Sequence, residues 1–274
     1  MKTGIIGGTG GMGRLFSEVF KKAGHEVLIA GRKTEITWED AARLSDIVII
    51  SVPIRDTISV IHEIAPLLGE HQLLADLTSL KISPVKAMLT SKARVIGFHP
   101  MFGPTAGTIR GQTIVATPAR CNEDDLRFFK DLFEEQGARV TITTADEHDR
   151  MMAVIQGLTH FKAILLAGTM RRLGISPADT ESYISPVYRI ETGIAGRLLA
   201  QNPELYADIL CMNPQVPAVL EMCHKAFLEI SGMVNKGDKD AFAREFLASR
   251  DWYGSFCELA QKETDLLIQE MVNW

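Results

Sequence analysis

Residues 2–14 read KTGIIGGTGGMGR, and this apolar run with its glycine-rich turn decides the fold. Gly8, Gly10 and Gly13 have the G-x-G-x-x-G spacing between the end of a predicted strand and the start of a predicted helix. Glycines at such a turn let the backbone approach a pyrophosphate, whose charge the helix N-terminus favours. A purely structural turn is the alternative. The residues predicted to bind a dinucleotide here are Gly8, Thr9, Gly10, Gly11, Met12 and Gly13.

The end of the second predicted strand bears on which dinucleotide binds. An acidic residue there would bind a free ribose 2′-hydroxyl, but the chain continues as Gly31, Arg32 and Lys33, with no carboxylate before Glu35. Arg32 could hold a 2′-phosphate in a bidentate fork. We therefore predict a preference for NADP, with NAD possible, against the alternative that Arg32 and Lys33 form a solvated loop pair.

Two further strand ends are predicted to reach the same crevice. The carboxyl ends of parallel strands line the cofactor crevice in such sheets. Ser51, Val52 and Pro53 close the third predicted strand, and Thr78 follows the fourth. All four are predicted to contact the cofactor, although Pro53 could equally serve only to stop the strand.

The first half of the chain alternates short apolar runs with longer amphipathic segments, the pattern of βαβ units. The predicted strands are Lys2–Ile6, Glu26–Ala30, Ile47–Ser51, Leu73–Asp76, Arg94–Phe98, Thr113–Thr117 and Arg139–Thr143. The predicted helices between them include Arg14–Ala23, Arg55–Leu68 and Glu123–Gln136. This order predicts an α/β, Rossmann-type, doubly wound and mostly parallel sheet.

After Glu147 the β-branched runs disappear and helical patterns continue to the C-terminus. The sequence therefore predicts a dinucleotide-binding domain over residues 1–146 and an all-helical domain over residues 147–274, for substrate binding and dimerisation. A long apolar helix is expected over Asp149–Leu173, ended by Gly174 and buried on most sides.

Composition excludes several classes of function. The chain has 29 Lys and Arg against 34 Asp and Glu, a net charge of −5 with no basic run, so we expect no nucleic-acid partner. Its longest apolar stretches fall short of the ~20 residues of a membrane span, so we expect no membrane association. The four cysteines lack C-x-x-C spacing and are expected to be reduced thiols of a cytoplasmic protein. No metal site is predicted.

A histidine at the end of the fifth predicted strand is the candidate general base. His99 lies in the segment GFHPMFGP, between Phe98 and Pro100, and histidine titrates near neutral pH. Ser79 follows the neighbouring strand in the segment DLTSLK, residues 76–81. A packed or solvent-facing histidine is the alternative for His99.

A stripe of side chains on the predicted long helix recurs every four residues, at His148, Met152, Gln156 and His160. The stripe is unusually polar for a buried helix. Histidines satisfied by backbone carbonyls are the alternative, more so for His148 than for His160.

These segments together resemble the prephenate/arogenate dehydrogenases of tyrosine biosynthesis. The resemblance runs from the glycine turn to about Asp208. Its motifs are GGTGGMGR (residues 7–14), DLTS (76–79), GFHPMFGP (97–104), EHD (147–149), QGLTHF (156–161), SPVYR (185–189) and GR (196–197).

The resemblance implies an NAD(P)-dependent oxidative decarboxylation of a cyclohexadienol. It implies that His99 takes the proton of the substrate's ring hydroxyl, that Ser79 helps hold that hydroxyl, and that Arg197 binds a substrate carboxylate. It also favours Gln156 and His160 as residues that face the site.

A dianionic substrate requires fixed cations, and the sequence offers a second one. Arg189 lies eight residues before Arg197, close to the same face of a continuous helix. It could be a second anchor, or it could form a structural ion pair with Glu191 or Asp208. Whether the substrate is prephenate or arogenate is left open.

The C-terminal segment, residues 219–274, suggests self-association. It is predicted to be helical, with Phe242, Phe246, Trp252, Phe256 and Leu259 at helical spacing. Such an apolar face predicts a homodimer through the C-terminal helices.

Two rival functions are kept. One is another small Rossmann reductase, such as a β-hydroxyacid dehydrogenase, for which Lys162 would be the residue of interest. The other is a sensor that binds a dinucleotide without turnover.

Overall fold

The computed structural model describes residues 1–272. Its seven strands are β1 Lys2–Ile6, β2 Glu26–Ala30, β3 Ile47–Ile50, β4 Leu73–Asp76, β5 Arg94–Pro100, β6 Thr113–Arg120 and β7 Arg139–Ile142. All seven predicted strands are confirmed, and β5 and β6 extend two or three residues past their predicted ends.

The strands form one sheet in the order β2-β1-β3-β4-β5-β6-β7. Every neighbouring pair is parallel except β5 and β6, which confirms the doubly wound, mostly parallel sheet. The carboxyl ends of β1, β3, β4 and β5 therefore meet at one edge of the sheet. The glycine turn, residues 51–53 and residues 78–79 come after β1, β3 and β4, and His99 lies near the end of β5.

Both faces of the sheet are buried, as parallel sheets require. In β3, Ile47 and Ile49 belong to one apolar cluster, whereas Val48 and Ile50 belong to the other. Phe16, Phe129 and Phe133 of the covering helices fill the first cluster. Because β3 is buried on both sides, it consists of a continuous β-branched run. Such runs can be predicted from the sequence.

The helices that cover the sheet are α1 Gly11–Lys22, α2 Trp38–Leu44, α3 Ile54–Ile64, α4 Ile82–Met88 and α5 Glu123–Glu134. The helices that follow are α6 Ala145–Met152, α7 Thr159–Leu173, α8 Pro186–Leu199, α9 Pro203–Met212, α10 Val216–Lys236, α11 Lys239–Tyr253 and α12 Phe256–Val272. Capping boxes at Thr37 and Asn122 start α2 and α5. Short 3₁₀ turns occupy Ala65–Leu67, Pro104–Ala106 and Ala178–Tyr183.

The chain divides into two compact units. The first, called here the nucleotide unit, comprises residues 1–153 and 204–214, and the helical unit comprises residues 154–203 and 215–272 of the described chain. The division differs from the boundary expected between residues 146 and 147. His148 and Asp149 are buried and hydrogen-bond residues of the nucleotide unit. The first turns of the long helical run therefore belong to that unit.

The predicted helix Asp149–Leu173 is helical throughout but is not one regular α-helix. Residues 153–158 form a π-helical segment between α6 and α7, and Gly174 ends α7 in a left-handed conformation, φ 71°. The expected four-residue stripe assumes α-helical geometry, so the wider π turn interrupts it.

The expectation that this run is mostly buried is wrong. Ala163 is the buried residue of α7, whereas Ile164, Leu165 and Leu173 are exposed within the described chain.

By length and composition alone, the helical run Ala145–Leu173 is long and apolar enough to cross a membrane. No single uninterrupted apolar stretch within it is that long. The run includes the buried polar residues His148 and Asp149, so composition is weak evidence here.

The C-terminal segment is helical as predicted as far as Val272, and residues 273–274 lie outside the described chain. Its predicted apolar residues are exposed to different degrees. At least two-fifths of the side-chain surface is exposed at all five of them, Phe242, Phe246, Trp252, Phe256 and Leu259.

Candidate active site

The glycine turn joins β1 to α1 in a conformation that only glycine tolerates. Gly7 has φ 83°, donates its N–H to Ala30 O at 2.8 Å, and has no room for a Cβ, which would lie 2.2 Å from Ser51 O. A Cβ on Gly13 would lie 2.5 Å from Gly7 O, so α1 packs directly on the turn. Gly7 precedes the predicted motif, and its positive φ is legible only in the structure.

A cavity of about 710 Å³ opens beside this turn, within the size range of cofactor sites. Its lining includes the predicted residues Thr9, Gly10, Arg32, Lys33, Ser51, Val52 and Pro53. A Cβ on Gly10 would meet Gly7 O at 3.2 Å, so the turn is tight at the start of α1. The donor set and the tight glycine turn fit a dinucleotide.

Arg32 has a partner that the sequence did not indicate. Its guanidinium lies 3.5 Å from the carboxylate of Asp56 on α3, and its side chain is 83% exposed. Asp56 also lines the cavity. The cation predicted to read a 2′-phosphate is thus present and accessible, with a carboxylate that competes for it.

The other predicted cofactor residues hold the turn and the strand ends together. Met12 packs against the apolar cluster under α1, and Gly8 fits where a Cβ would lie 2.8 Å from the Ile29 side chain. The buried Thr78 hydroxyl lies 2.9 Å from Leu80 O and hydrogen-bonds Asp76. Gly11 faces Pro104, whose ring would lie 2.8 Å from an added Cβ. Their contact with the cofactor stays a prediction.

His99 lies in β5 and is almost completely buried. Burial lowers the pKa of His99 well below 6.5, and the neighbouring His148 and Lys81 lower it further. The imidazole is therefore neutral near pH 7. A neutral imidazole at a strand end is suited to accept a proton.

A chain of hydrogen bonds runs from His99 to a carboxylate. His99 Nδ1 lies 2.8 Å from His148 Nε2, and His148 Nδ1 lies 2.7 Å from Asp149 Oδ1. Asp149 also accepts the backbone N–H groups of Lys81 at 2.8 Å and Ile82 at 2.9 Å. Its carboxylate thereby fixes both His148 and the start of α4.

A fully buried ion pair lies under the same strand end. Lys81 Nζ donates to Asp76, and burial lowers the pKa of Lys81 despite this carboxylate. The lysine stem passes beneath β5, where a Cβ on Gly97 would lie 2.9 Å from Lys81 Cδ. Glycine at 97 therefore lets the lysine reach Asp76.

Ser79 is half-buried in the loop between β4 and α4. β4 pairs with β5 so that Asp76 lies opposite Gly97, two residues before His99. The loop that carries Ser79 and the end of β5 that carries His99 therefore lie at the same sheet edge. The role of Ser79 stays a prediction.

The predicted substrate arginines share one helix. Arg189 and Arg197 are exposed on the continuous helix α8, about 12 Å apart along its axis. The two carboxylates considered as structural partners of Arg189 pair elsewhere: Glu191 with Lys162 at 3.1 Å, and Asp208 with Arg55 at 2.9 Å. The predicted role of Arg189 as a second anchor gains from this, without being tested by it.

Gln156 and His160 belong to the helical unit, Gln156 in the π-helical segment and His160 in the first turn of α7. Both are half-buried, and burial lowers the pKa of His160. His148 and Met152 belong instead to the nucleotide unit, so the predicted stripe is divided between the units. Within residues 1–272, no cluster of three or more His, Cys, Asp or Glu side chains is arranged to hold a metal ion.

The fold and the nucleotide-unit site define a Rossmann dehydrogenase with a helical second unit. The family model described as "Prephenate dehydrogenase, nucleotide-binding domain" matches residues 20–142, and "Prephenate dehydrogenase, dimerization domain" matches residues 144–248. The chain belongs to the prephenate dehydrogenase family, a family of oxidoreductases.

Two relatives illustrate this membership. A "T-protein" of Haemophilus influenzae is 34% identical over 97% of this chain and 71% of its own length. A "Probable arogenate/prephenate dehydrogenase" of Methanocaldococcus jannaschii is 36% identical over 92% of this chain, which spans 60% of that protein.

Solved structures agree on the fold. The prephenate dehydrogenase of A. aeolicus, in complex with hydroxyphenyl propionate and NAD+, is 19% identical and superposes with a TM-score of 0.74, covering 97% of this chain and 98% of that one. A Synechocystis arogenate dehydrogenase gives a TM-score of 0.71 at 18% identity, covering 92% and 100%.

Proposed function

We propose that this chain catalyses the oxidative decarboxylation of prephenate, with hydride transfer to NAD(P), as a step of tyrosine biosynthesis; arogenate is the alternative substrate. The observation that carries the proposal is the buried, neutral His99 at the sheet edge that also carries the dinucleotide cavity. Family membership supports the same reaction, and the names of the relatives include both substrates.

The residues of the chain divide the work among three tasks. The bound nicotinamide supplies the hydride acceptor, and the glycine turn with the cavity beside it orients it. His99 withdraws the ring hydroxyl proton, which pushes electrons toward loss of hydride. Ser79 holds that hydroxyl, and Arg197 binds a carboxylate, with Arg189, Gln156 and His160 as further substrate contacts.

An arginine that contacts the ring carboxylate of the substrate must not bind it too strongly. Loss of carbon dioxide neutralises the ring carboxylate, so a cation that held it too firmly would stabilise the ground state against the transition state. We propose that Arg197 binds a carboxylate in the ground state and contributes mainly to KM.

NADP is the proposed preferred cofactor, since Arg32 and Lys33 line the cavity where an acidic residue would favour NAD. The remaining proposed cofactor contacts lie at the ends of β3 and β4, at Ser51, Val52, Pro53 and Thr78. Asp56, which pairs with Arg32, would compete with the 2′-phosphate of NADP for this arginine.

A homodimer through the helical unit is the proposed assembly. The dimerization-domain match covers residues 144–248, and the exposed apolar side chains of α7 and α10, with Phe242 and Phe246 of α11, lie in that range. Covering this apolar surface supplies the driving force. The four cysteines are free thiols in the structure, which fits the proposed cytoplasmic location. We retain residues 1–146 and 147–274 as the proposed domains.

The experiment adds prephenate or arogenate to the chain with NADP or NAD and follows the absorbance of the reduced nicotinamide. Turnover with either substrate supports the proposal. A protein that binds NADP but reduces it with neither substrate would be the dinucleotide sensor instead. The β-hydroxyacid dehydrogenase alternative is not favoured, because Lys162 is paired with Glu191 on the helical unit.

A further inference from the structure

Three buried side chains of the nucleotide unit form a continuous hydrogen-bonded chain that ends at the proposed base. His99, His148 and Asp149 are each at most 2% exposed. The two histidine rings meet edge to face, with centroids 5.0 Å apart. Residues 99 and 148 come from β5 and α6, so the contact is a product of the fold.

Asp149 determines the direction of the first hydrogen bond. Its carboxylate accepts three hydrogen bonds, from the N–H groups of Lys81 and Ile82 and from His148 Nδ1. An ionised carboxylate can only accept, so His148 carries its proton on Nδ1.

The direction of the second hydrogen bond follows from the first. With its single proton on Nδ1, the His148 ring presents Nε2 as an acceptor, and His99 then donates through Nδ1–H over the 2.8 Å distance. The remaining nitrogen, His99 Nε2, then carries no proton. Only this tautomer can accept a proton from a substrate hydroxyl at Nε2.

We propose that His148 and Asp149 are positioning residues that hold His99 in the Nδ1–H tautomer, with Nε2 as the proton acceptor. This inference rests on the proposed function for its kinetic consequences, but the tautomer itself does not. The logic is that of a base oriented by a third group, with a histidine between the base and the carboxylate.

His99 accepts the proton of the substrate hydroxyl during the reaction and then returns it to the product. The O–H bond of the substrate breaks and the Nε2–H bond of His99 forms, while its electron pair stays on the oxygen. The ring C–H pair leaves as hydride to the nicotinamide, and the C–C pair left by carbon dioxide enters the ring. The product phenol, with a pKa of about 10, then recovers the proton from His99.

His148 and Asp149 also face the positive charge that His99 carries during this interval. When His99 holds the extra proton, its Nδ1–H faces His148 Nε2, and Asp149 lies one hydrogen bond further away. The carboxylate stabilises the cationic pair in a buried region where Lys81 opposes it. The chain therefore supports the base in both of its protonation states.

Two substitutions at His148 separate this role from a merely structural one. His148→Gln retains an acceptor for His99 Nδ1–H, and we expect kcat within about tenfold of the parent chain. His148→Leu removes the acceptor, and we expect kcat to fall by about 10²- to 10⁴-fold with KM changed less than about threefold. His62→Leu, the same change at an exposed helical histidine, is the matched control and should leave both constants unchanged.

The second readout needs no turnover. Nitrogen-15 NMR of histidine-labelled protein near pH 7, with the His99 signal assigned by its loss in His99→Gln, reports which ring nitrogen carries the proton. We expect the Nδ1–H tautomer in the parent chain and in His148→Gln. An Nε2–H tautomer in the parent chain overturns the inference, as do equal kcat losses in His148→Gln and His148→Leu when thermal melting shows both folded. If neither substrate is turned over, the proposed function fails while the tautomer measurement still tests the inference.

Discussion

Replacing Arg32 by serine should shift the cofactor preference of the enzyme toward NAD. Arg32 is the first cation after β2, lines the dinucleotide cavity and is 83% exposed, so it can reach a 2′-phosphate. Hydrogen bonds to a charged group contribute about 1.5–3 kcal/mol. The competing Asp56 pair at 3.5 Å is exposed and offsets at most about 1 kcal/mol of this.

The net effect is about 0.5–3 kcal/mol of NADP binding, which corresponds to roughly 2- to 150-fold in the ratio of kcat/KM for NADP over NAD. Steady-state kinetics with both cofactors at saturating prephenate measures this ratio. Asp56→Asn removes the competing carboxylate, and it should raise the ratio by a few fold.

Arg127→Ser is the matched control, since Arg127 is an exposed arginine of the same unit that pairs with Asp124 on α5. Its ratio should equal that of the parent chain. The reasoning is refuted if the parent chain prefers NAD, or if Arg32→Ser leaves the ratio where it was.

Four further perturbations follow from the geometry. His99→Ala should lower kcat strongly with a similar KM for prephenate, whereas Arg197→Ala should raise KM, and an unchanged KM in steady-state kinetics would remove Arg197 from the site. Because the pKa of His99 lies below its unfolded value of 6.5, the unfolded chain binds more protons, and the free energy of unfolding falls as the pH drops below 6.5. Urea unfolding of His99→Gln between pH 6.5 and 5 should show a pH dependence of this free energy that is smaller by up to about 1.4 kcal/mol per pH unit. An unchanged pH dependence would contradict the lowered pKa. Gly13→Ala should cost about 1–3 kcal/mol in urea unfolding because its Cβ meets Gly7 O at 2.5 Å, whereas Gly193→Ala, open on α8, should be neutral or stabilising.

The sheet could be predicted from sequence because its signals are local. Runs such as Ile47–Ile50 are apolar and β-branched throughout, and each is bounded by turn residues. The short helices Trp38–Leu44 and Ile82–Met88 were not among the named segments, since seven residues hold barely two helical periods.

The long helical run shows what periodicity cannot resolve. An apolar pattern over Asp149–Leu173 is compatible with a continuous α-helix, and nothing in it indicated the π-helical segment at residues 153–158. Its burial was also overestimated, because apolar composition indicates that a surface tends to be covered but does not say by what. A second copy of the chain is the partner that we propose.

The site was predictable at its motifs and hidden at its long-range contacts. The segment GFHPMFGP indicates His99, but its partner His148 is 49 residues away, and the helical pattern favours a structural role for His148 more than for His160. Asp149 and Lys81 stood inside quoted motifs without an assigned role. Only the packing of α6 against the sheet brings Asp149 to the start of α4, and a tautomer follows from such contacts rather than from spacing.

The central claim is the reaction, and one measurement tests it most directly. Prephenate and arogenate are each mixed with the chain and either NADP or NAD, and reduced cofactor and released carbon dioxide are measured together. The account predicts equal amounts of the two products with at least one substrate, and loss of both in His99→Ala. A folded parent chain that yields neither product with any combination would contradict it.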